Sequence, residues 1–499
     1  MKGLIKIKYC ILIVAVCAGF VFKACKRETP VYGDAYIYMP QSVASGGLNN
    51  MYVVPSGGGT LTYNIKPDNG KIDIMLGVSR SGTAQGKDFT VDITARNDET
   101  GNFISSGVLP NAVALPESSY SLPSQVAVTG SNHATFYLSV DSAMLMNDLS
   151  YTGQKLVLAV GISNATSYTI SDNNNITMVV IDVDAIRDHF FKFTEGFLYK
   201  KANKLMLNGM AYQCGGINSV AISGCGSDDE IFNEAEVDAL FSSLPANILV
   251  RTWAFAENKD KTDKIVKAAE KNNIKLILVL ANQNGFCGDP YDNKDQDWYT
   301  SGFRNGYLGY VKEMAAAYKN SPAIGMWEMV NEPTMWNADV ETLKAFFNEV
   351  AKAIKEADPN HLVATGAWAN WAYDGKDGFQ TIHNSNYIDV GTLHEGDQDV
   401  VEGWSFPDCV QAMNELNKVL IVEDISIEGG TAADCFSNIT GRAEIMKNKI
   451  QHYLDNGAGA ALASYLVKNV ASECSRQFAA DDPVMNVVKA LPANANLGK

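Results

Sequence analysis

Apolar and polar positions alternate along this chain in two rhythms. Between residue 31 and about residue 184 the period is two. Short runs over 35–39, 59–65, 71–76, 89–94, 134–140, 155–160 and 176–182 set β-branched and aromatic residues against polar ones. A period of two turns one face of a strand to a core and the other to water. Gly57-Gly58, Asp68-Asn69-Gly70, Ser81-Gly82 and the Asn-rich 172–175 punctuate the runs. Short strands at this spacing predict an antiparallel all-β sandwich. The stretch holds no tryptophan, no cysteine and no catalytic constellation.

From about residue 185 the rhythm changes. Eight apolar runs, over 204–212, 248–254, 275–281, 323–330, 362–368, 387–394, 418–424 and 460–466, alternate with helical stretches. Helix-period patterns cover 234–244, 262–271, 305–319, 341–357 and 441–456. Strand–helix alternation implies a parallel α/β sheet, and eight units over roughly 300 residues imply a (β/α)8 TIM barrel. A doubly wound sheet is the competing topology, and no GxGxxG stands at a strand–helix junction to favour it. The expected organisation is a leader over 1–24, a β-sandwich over 25–184 and a barrel over 185–499.

The leader carries Lys2, Lys6 and Lys8 before an apolar run over 9–22, which is short for a membrane span of ~20 residues. It ends at Ala24-Cys25 and a polar stretch. This resembles a bacterial lipoprotein signal, which implies lipidation of Cys25, export and anchoring to the outer membrane, at the cell surface. The membrane is then met only through an N-terminal lipid. A plain cleaved signal or an uncleaved anchor is the alternative. The leader also changes the charge balance. The chain has 40 basic and 56 acidic residues, a net charge of −16; without residues 1–24 the balance is 36 against 56, or −20. That excludes a basic nucleic-acid footprint and disfavours a polyanionic substrate. With 46% hydrophobic residues, the chain has enough apolar material for large cores. Six cysteines follow the leader: Cys214, Cys225, Cys287, Cys409, Cys435 and Cys474. Of their 15 connectivities, Cys214–Cys225 and Cys409–Cys435 are the local pairs.

Parallel barrels place their chemistry at the C-terminal ends of the strands. There the second run carries Arg251-Thr-Trp253, the third reaches Asn282-Gln-Asn284, and the fourth ends Trp327-Glu-Met-Val-Asn-Glu-Pro333. The fifth ends Trp368-Ala-Asn-Trp371, the sixth His394-Glu395 and the seventh Glu423-Asp424. Glu332 and Glu423 thus face each other across an eight-strand ring. Two carboxylates in different environments are what glycoside hydrolysis needs, one as acid and one as nucleophile. Arg251 is placed to hold Glu423 ionised. All seven tryptophans fall between Trp253 and Trp404, which suits stacking on sugar rings. No HExxH or paired histidine spacing suggests a metal, and no GxSxG a serine hydrolase. No cofactor is expected.

Over about residues 195–480 the chain resembles glycoside hydrolase family five. Leu207-Asn-Gly209 through Gly216-Ile-Asn218 looks like its opening strand, and Val250-Arg-Thr-Trp-Ala-Phe255 its second. The Asn331-Glu332-Pro333 motif is the most specific match. The resemblance implies that Glu332 is the acid/base, Glu423 the nucleophile, and Asn331 a partner of the sugar 2-hydroxyl. It implies that Arg251 contacts the nucleophile and that His394 lines the site. Trp253, Trp336, Trp368 and Trp371 complete the expected sugar contacts. Gly396 and Ser464 depart from the family, standing where subsite aromatics are expected. The N-terminal segment is similar to the β-sandwich of surface lipoproteins from glycan-degrading gut bacteria. The expected function is therefore a retaining, endo-acting β-glycanase on a plant-type polysaccharide, β-mannan before β-glucan. A surface glycan-binding protein with little or no turnover is the alternative.

Overall fold

The computed structural model describes residues 34–43, 51–55, 65–68, 70–82, 86–190, 193–225, 231–291, 294–394, 405–427, 439–464, 466–467 and 478–491. Cys25, Gly396, Trp404, Cys435, Cys474 and the leader lie outside these residues, as does the run over 59–65 apart from residue 65. The chain divides between residues 191 and 192 into two compact units.

The first unit is β-rich. Its strands form two six-stranded sheets. Alternate residues of Lys71–Arg80, among them Ile72, Ile74, Leu76 and Val78, are buried with Val91, Leu156, Leu158, Val160 and Val179 of the other sheet in one apolar core. Pairing is mixed rather than wholly antiparallel. Tyr36–Tyr38 runs parallel to Thr169–Ile170, and Met51–Val54 parallel to Ile176–Asp182. These partners are far apart in sequence, so no tight hairpin forces them antiparallel. The helix Val183–Phe190 belongs to this unit, because Val183 and Ile186 are buried in its core. The boundary thus falls after that helix, not within it at 184.

The second unit contains a closed barrel of eight parallel strands. They are β1 (Cys214–Asn218), β2 (Leu249–Trp253), β3 (Lys275–Val279), β4 (Ile324–Glu328), β5 (Leu362–Ala364), β6 (Val390–Leu393), β7 (Val419–Ile425) and β8 (Ala460–Ser464). Intervening helices are α1 (Glu234–Ser243), α2 (Lys259–Asn272), α3 (Tyr307–Tyr318), α4 (Val340–Ala357), α5 (Gly375–His383), α6 (Phe406–Glu415), α7 (Ile439–Asp455) and α8 (Pro483–Ala490). Strand residues alternate between two clusters. Leu249, Ile277, Met326, Val419 and Ile421 fill the barrel interior. Val250, Leu276, Leu278, Trp327, Leu420 and Val422 face the helices.

The expected first strand is displaced. Residues Lys204–Leu207 belong to a separate three-stranded antiparallel sheet with Leu198–Lys201 and Met210–Ala211. Asn208 and Gly209 both take positive φ, 50° and 82°, which makes the tight turn that reverses the chain there. Leu198, Leu205 and Leu207 pack on the inner strand residues, and β1 begins only at Cys214. Helices α5, α6 and α8 fall outside the stretches predicted as helical. Glycine opens α5 and recurs within it, and proline stands in the first turn of α6 and α8.

Candidate active site

Strand alternation points Arg251 of β2 and Glu328 of β4 into the barrel, beyond the last apolar layer. Arg251 Nε donates to Glu328 Oε2 at 2.8 Å and Nη2 to Oε1 at 2.6 Å, a two-pronged pair sealed from water. Nη1 reaches Asn218 Oδ1 at 3.1 Å and Nη2 also reaches Asn331 Oδ1 at 2.7 Å. Glu423 Oε2 stands 3.5 Å from Nε. Burial disfavours the guanidinium charge, but Glu328, Glu423 and Asp424 more than offset it. The expected Arg251–Glu423 contact is therefore present, but Glu328 is the closer partner. Burial pushes the Glu328 carboxyl up to about 7, against the pull of Arg251 and with the Glu423 charge adding to the rise. Glu328 sits within the apolar fourth run, where a single polar residue reads as ordinary strand alternation. Only the opposed Arg251 reveals its part.

The chain past β4 is clamped on both sides. Asn331 N donates to Ala281 O at 2.8 Å and Glu332 N to Gly366 O at 2.8 Å. Asn331 Nδ2 donates to Asn282 Oδ1 at 2.9 Å, so both ends of its amide are engaged within the protein. Asn282 is in turn held by a buried ion pair. Asp289 Oδ2 accepts from Asn282 N at 2.7 Å, and Lys294 Nζ bridges Asp289 Oδ2 and Asn282 O. Gly366 is required here. Its φ is +81°, and a Cβ would lie 1.9 Å from Val330 O and 2.7 Å from Glu328 Oε1. So clamped, Glu332 takes φ +54°, a left-handed conformation that costs a non-glycine residue on the order of 1 kcal/mol or more. Its side chain keeps 29% exposure.

His394, just past β6, links the carboxylates. Nδ1 lies 2.7 Å from Glu332 Oε1 and Nε2 3.4 Å from Glu423 Oε2. Burial opposes the imidazolium, but the hydrogen bond to Glu332 and the nearby Glu423 carboxylate push His394 up to about 10. Glu332 shows the reciprocal effect. Burial would raise it, yet the His394 bond and charge, with Arg251 and Asn331, hold it below the usual carboxylate range. In the resting site the proton of this pair rests on His394.

At the end of β7 the two acids differ. Glu423 is 0% exposed, and neither carboxylate oxygen makes a hydrogen bond among the described residues. Asp424 is partly exposed and accepts from Ser464 Oγ at the end of β8. Glu328, His394 and Glu423 bring ligand-type atoms within 4.8 Å of one another, as do Glu332, His394 and Asp424. The first group is ill suited to a cation, because Arg251 occupies both oxygens of Glu328. The acids outnumber Arg251 and His394 by two, so the mouth is anionic. That favours a transition state carrying positive charge on a sugar ring.

The tryptophans divide. Trp336 and Trp371 are 65% and 46% exposed, with ring centroids 5.7 Å apart, and Trp368 packs edge-on against Trp371 at 4.8 Å. Trp253 is 4% exposed, stacked on Phe255 at 5.2 Å with the Arg251 guanidinium over it. It is a wall of the arginine pocket rather than an open face. Beside it, Cys225 is bonded to Cys287, joining the segments that follow β1 and β3. The expected Cys214–Cys225 pair does not form. Cys214 opens β1 at the opposite end of the barrel, where its buried free thiol lies 3.1 Å from Tyr212 Oη.

Residues 281–428 match the family described as GH family 5 beta-mannosidase-like. Mannan endo-1,4-β-mannosidase F of Aspergillus fumigatus is 28% identical over 211 residues, 32% of this chain and 48% of that protein. Its counterpart from Aspergillus clavatus is 29% identical over 172 residues, 27% of this chain and 39% of that protein. The chain thus spans less than half the length of these two curated relatives. The endo-1,4-β-mannanase of Rhizomucor miehei is a similar solved structure, with a TM-score of 0.46 and 21% identity over 59% of this chain and 97% of that one.

Proposed function

We propose that the chain is a retaining glycoside hydrolase acting on internal bonds of β-mannan, with β-glucans as poorer substrates. The observation that carries this reading is Glu332. It is held in a strained conformation at the barrel mouth, hydrogen-bonded to a charged histidine and facing a strand-seven carboxylate. Strain of this kind persists where surroundings over-determine it, as at catalytic positions. The names of the fungal relatives support mannan as substrate. Sugars stack on Trp336 and Trp371. Glu332, drawing its proton across the 2.7 Å bond from His394, protonates the leaving oxygen. A strand-seven carboxylate attacks the anomeric carbon, and Glu332 then takes a proton from the water that releases the sugar. Lipidation at Cys25 anchors the exported enzyme to the outer membrane, and the N-terminal region, read as a sandwich, serves as spacer.

The test is release of reducing ends from β-mannan, glucomannan and β-glucan, with Glu332→Ala as control. Release is expected from mannan first and is lost in the variant. Binding without release by the unmutated protein removes the hydrolase reading. It would leave a surface glycan-binding protein, a reading favoured by Ser464 standing where the family has an aromatic.

A further inference from the structure

Only one of the two carboxylates at the end of β7 is open to a ligand. Strict alternation along β7 sends Val419 and Ile421 inward and Leu420 and Val422 outward to the helices. Continued, it would send Glu423 inward and Asp424 out. The register breaks first. Ile421 pairs with Ala460 and Val422 with Ala461, but the next pair is Ile425 with Ala463. Glu423 and Asp424 therefore both stand against Leu462, a bulge of the kind that re-aims a side chain. Asp424 is turned to the strand ends, where Ser464 Oγ and Asn218 Nδ2, the latter at 3.4 Å, donate to its Oδ1. Among the described residues Oδ2 accepts no hydrogen bond.

We propose that Asp424, and not Glu423, is the nucleophile of the hydrolase reading, on which this inference rests. An Asp424 oxygen lies within 4.8 Å of a Glu332 oxygen. Retaining enzymes set their carboxyls about 5–5.5 Å apart, whereas inverting ones leave ~6.5–9.5 Å for a water. Glu423 is closed off by comparison, with 0% exposure and the charges of Arg251 and His394 at 3.5 Å and 3.4 Å. It is a positioning residue that holds those two cations in place. In the first step Asp424 Oδ2 bonds to the anomeric carbon, the glycosidic C–O bond breaks, and the leaving oxygen takes the Glu332 proton. In the second, water gives a proton to Glu332, its oxygen bonds to the same carbon, and the Asp424 ester opens to the carboxylate. Ser464, at the end of β8, supplies the hydroxyl that fixes Oδ1.

The full chain is incubated with a 2-fluoro β-mannobiosyl fluoride, which accumulates the ester, and the labelled peptide is sequenced by tandem mass spectrometry. In parallel, azide is added to Asp424→Ala and Glu423→Ala turning over an activated mannoside. The expected result is a label on Asp424, azide rescue of Asp424→Ala with formation of an α-glycosyl azide, and a kcat loss of ~10³-fold or more in Asp424→Asn. Glu423→Gln is expected to lose up to ~10²-fold, as a misplaced support does. A label on Glu423, or azide rescue of Glu423→Ala, overturns the assignment and leaves the hydrolase reading standing. Turnover with inversion and no label overturns the covalent step. Absence of any sugar release from mannan overturns the hydrolase reading itself. Because labelling uses the unmutated protein, a variant that fails to fold does not blunt the test.

Discussion

At the end of β4 the deep carboxylate, Glu328, and the mouth carboxylate, Glu332, are four residues apart; at the end of β7 the corresponding pair, Glu423 and Asp424, are neighbours. The longer spacing leaves room for a clamp. Backbone bonds to Ala281 and Gly366 let one residue adopt a left-handed turn and lift Glu332 to the surface. The shorter spacing leaves none, and a bulge against Leu462 does the lifting instead. Both devices yield the same layering, a sealed carboxylate on Arg251 beneath an open one near His394. The barrel mouth thus demands the layering and leaves the backbone route free.

If the layers divide the work, substitutions should divide with them. The largest effect is expected at the mouth. Glu332→Gln should lower kcat on β-mannan by ~10³-fold or more, while Glu328→Gln, in the sealed layer beneath, should cost ~10²-fold or less. Equal losses in steady-state assays would break the distinction. Next comes stability. Arg251→Met leaves two sealed carboxylates without their cation and should cost about 3–5 kcal/mol in urea unfolding. Adding Glu328→Met should restore part of that loss. Opening the Cys225–Cys287 bond by a double serine substitution should cost about 2–4 kcal/mol, since it closes a loop of 62 residues.

Smaller still is a pH effect. Folded His394 keeps its proton to about 10, whereas an unfolded histidine releases it near ~6.5. Its contribution is therefore full below ~6.5 and is lost as pH climbs toward 10. Melting temperatures should fall across that window in the native protein and less steeply in His394→Asn. The smallest effect is expected at the open aromatic pair. Trp336→Ala should raise KM for mannan about 2–10-fold with kcat little changed, as the loss of one stacking face predicts.

The barrel was legible because seven of its eight strands are apolar runs bounded by helix-period segments, a pattern few folds share. The exception, β1, is made of Cys214-Gly-Gly-Ile-Asn218, too poor in large apolar residues to outcompete the neighbouring 204–212 run. That run's Asn208-Gly209 was the overlooked turn signal. Arg251, Asn331, Glu332 and His394 were legible because strand ends are where polar residues follow apolar ones. Glu328 was not, since its partner is 77 residues away and strand alternation alone accounts for a polar residue there. The difference between Glu423 and Asp424 was equally hidden. A bulge is a relation between two strands, and one strand's sequence does not announce it. Cysteine pairing failed for a similar reason. Cys225 and Cys287 meet because β1 and β3 open on the same face, a fact of topology rather than of spacing.

That disulfide bears on how the protein is produced. Of the covalent links among the described residues it alone crosses the rim of the cleft, and it rests on the wall formed by Trp253 and Phe255. Chain made in a reducing cytoplasm would carry two thiols there and a looser rim over an otherwise complete barrel. Its defect would be sought in substrate affinity and heat tolerance before turnover, and the expression compartment becomes a variable of the assay.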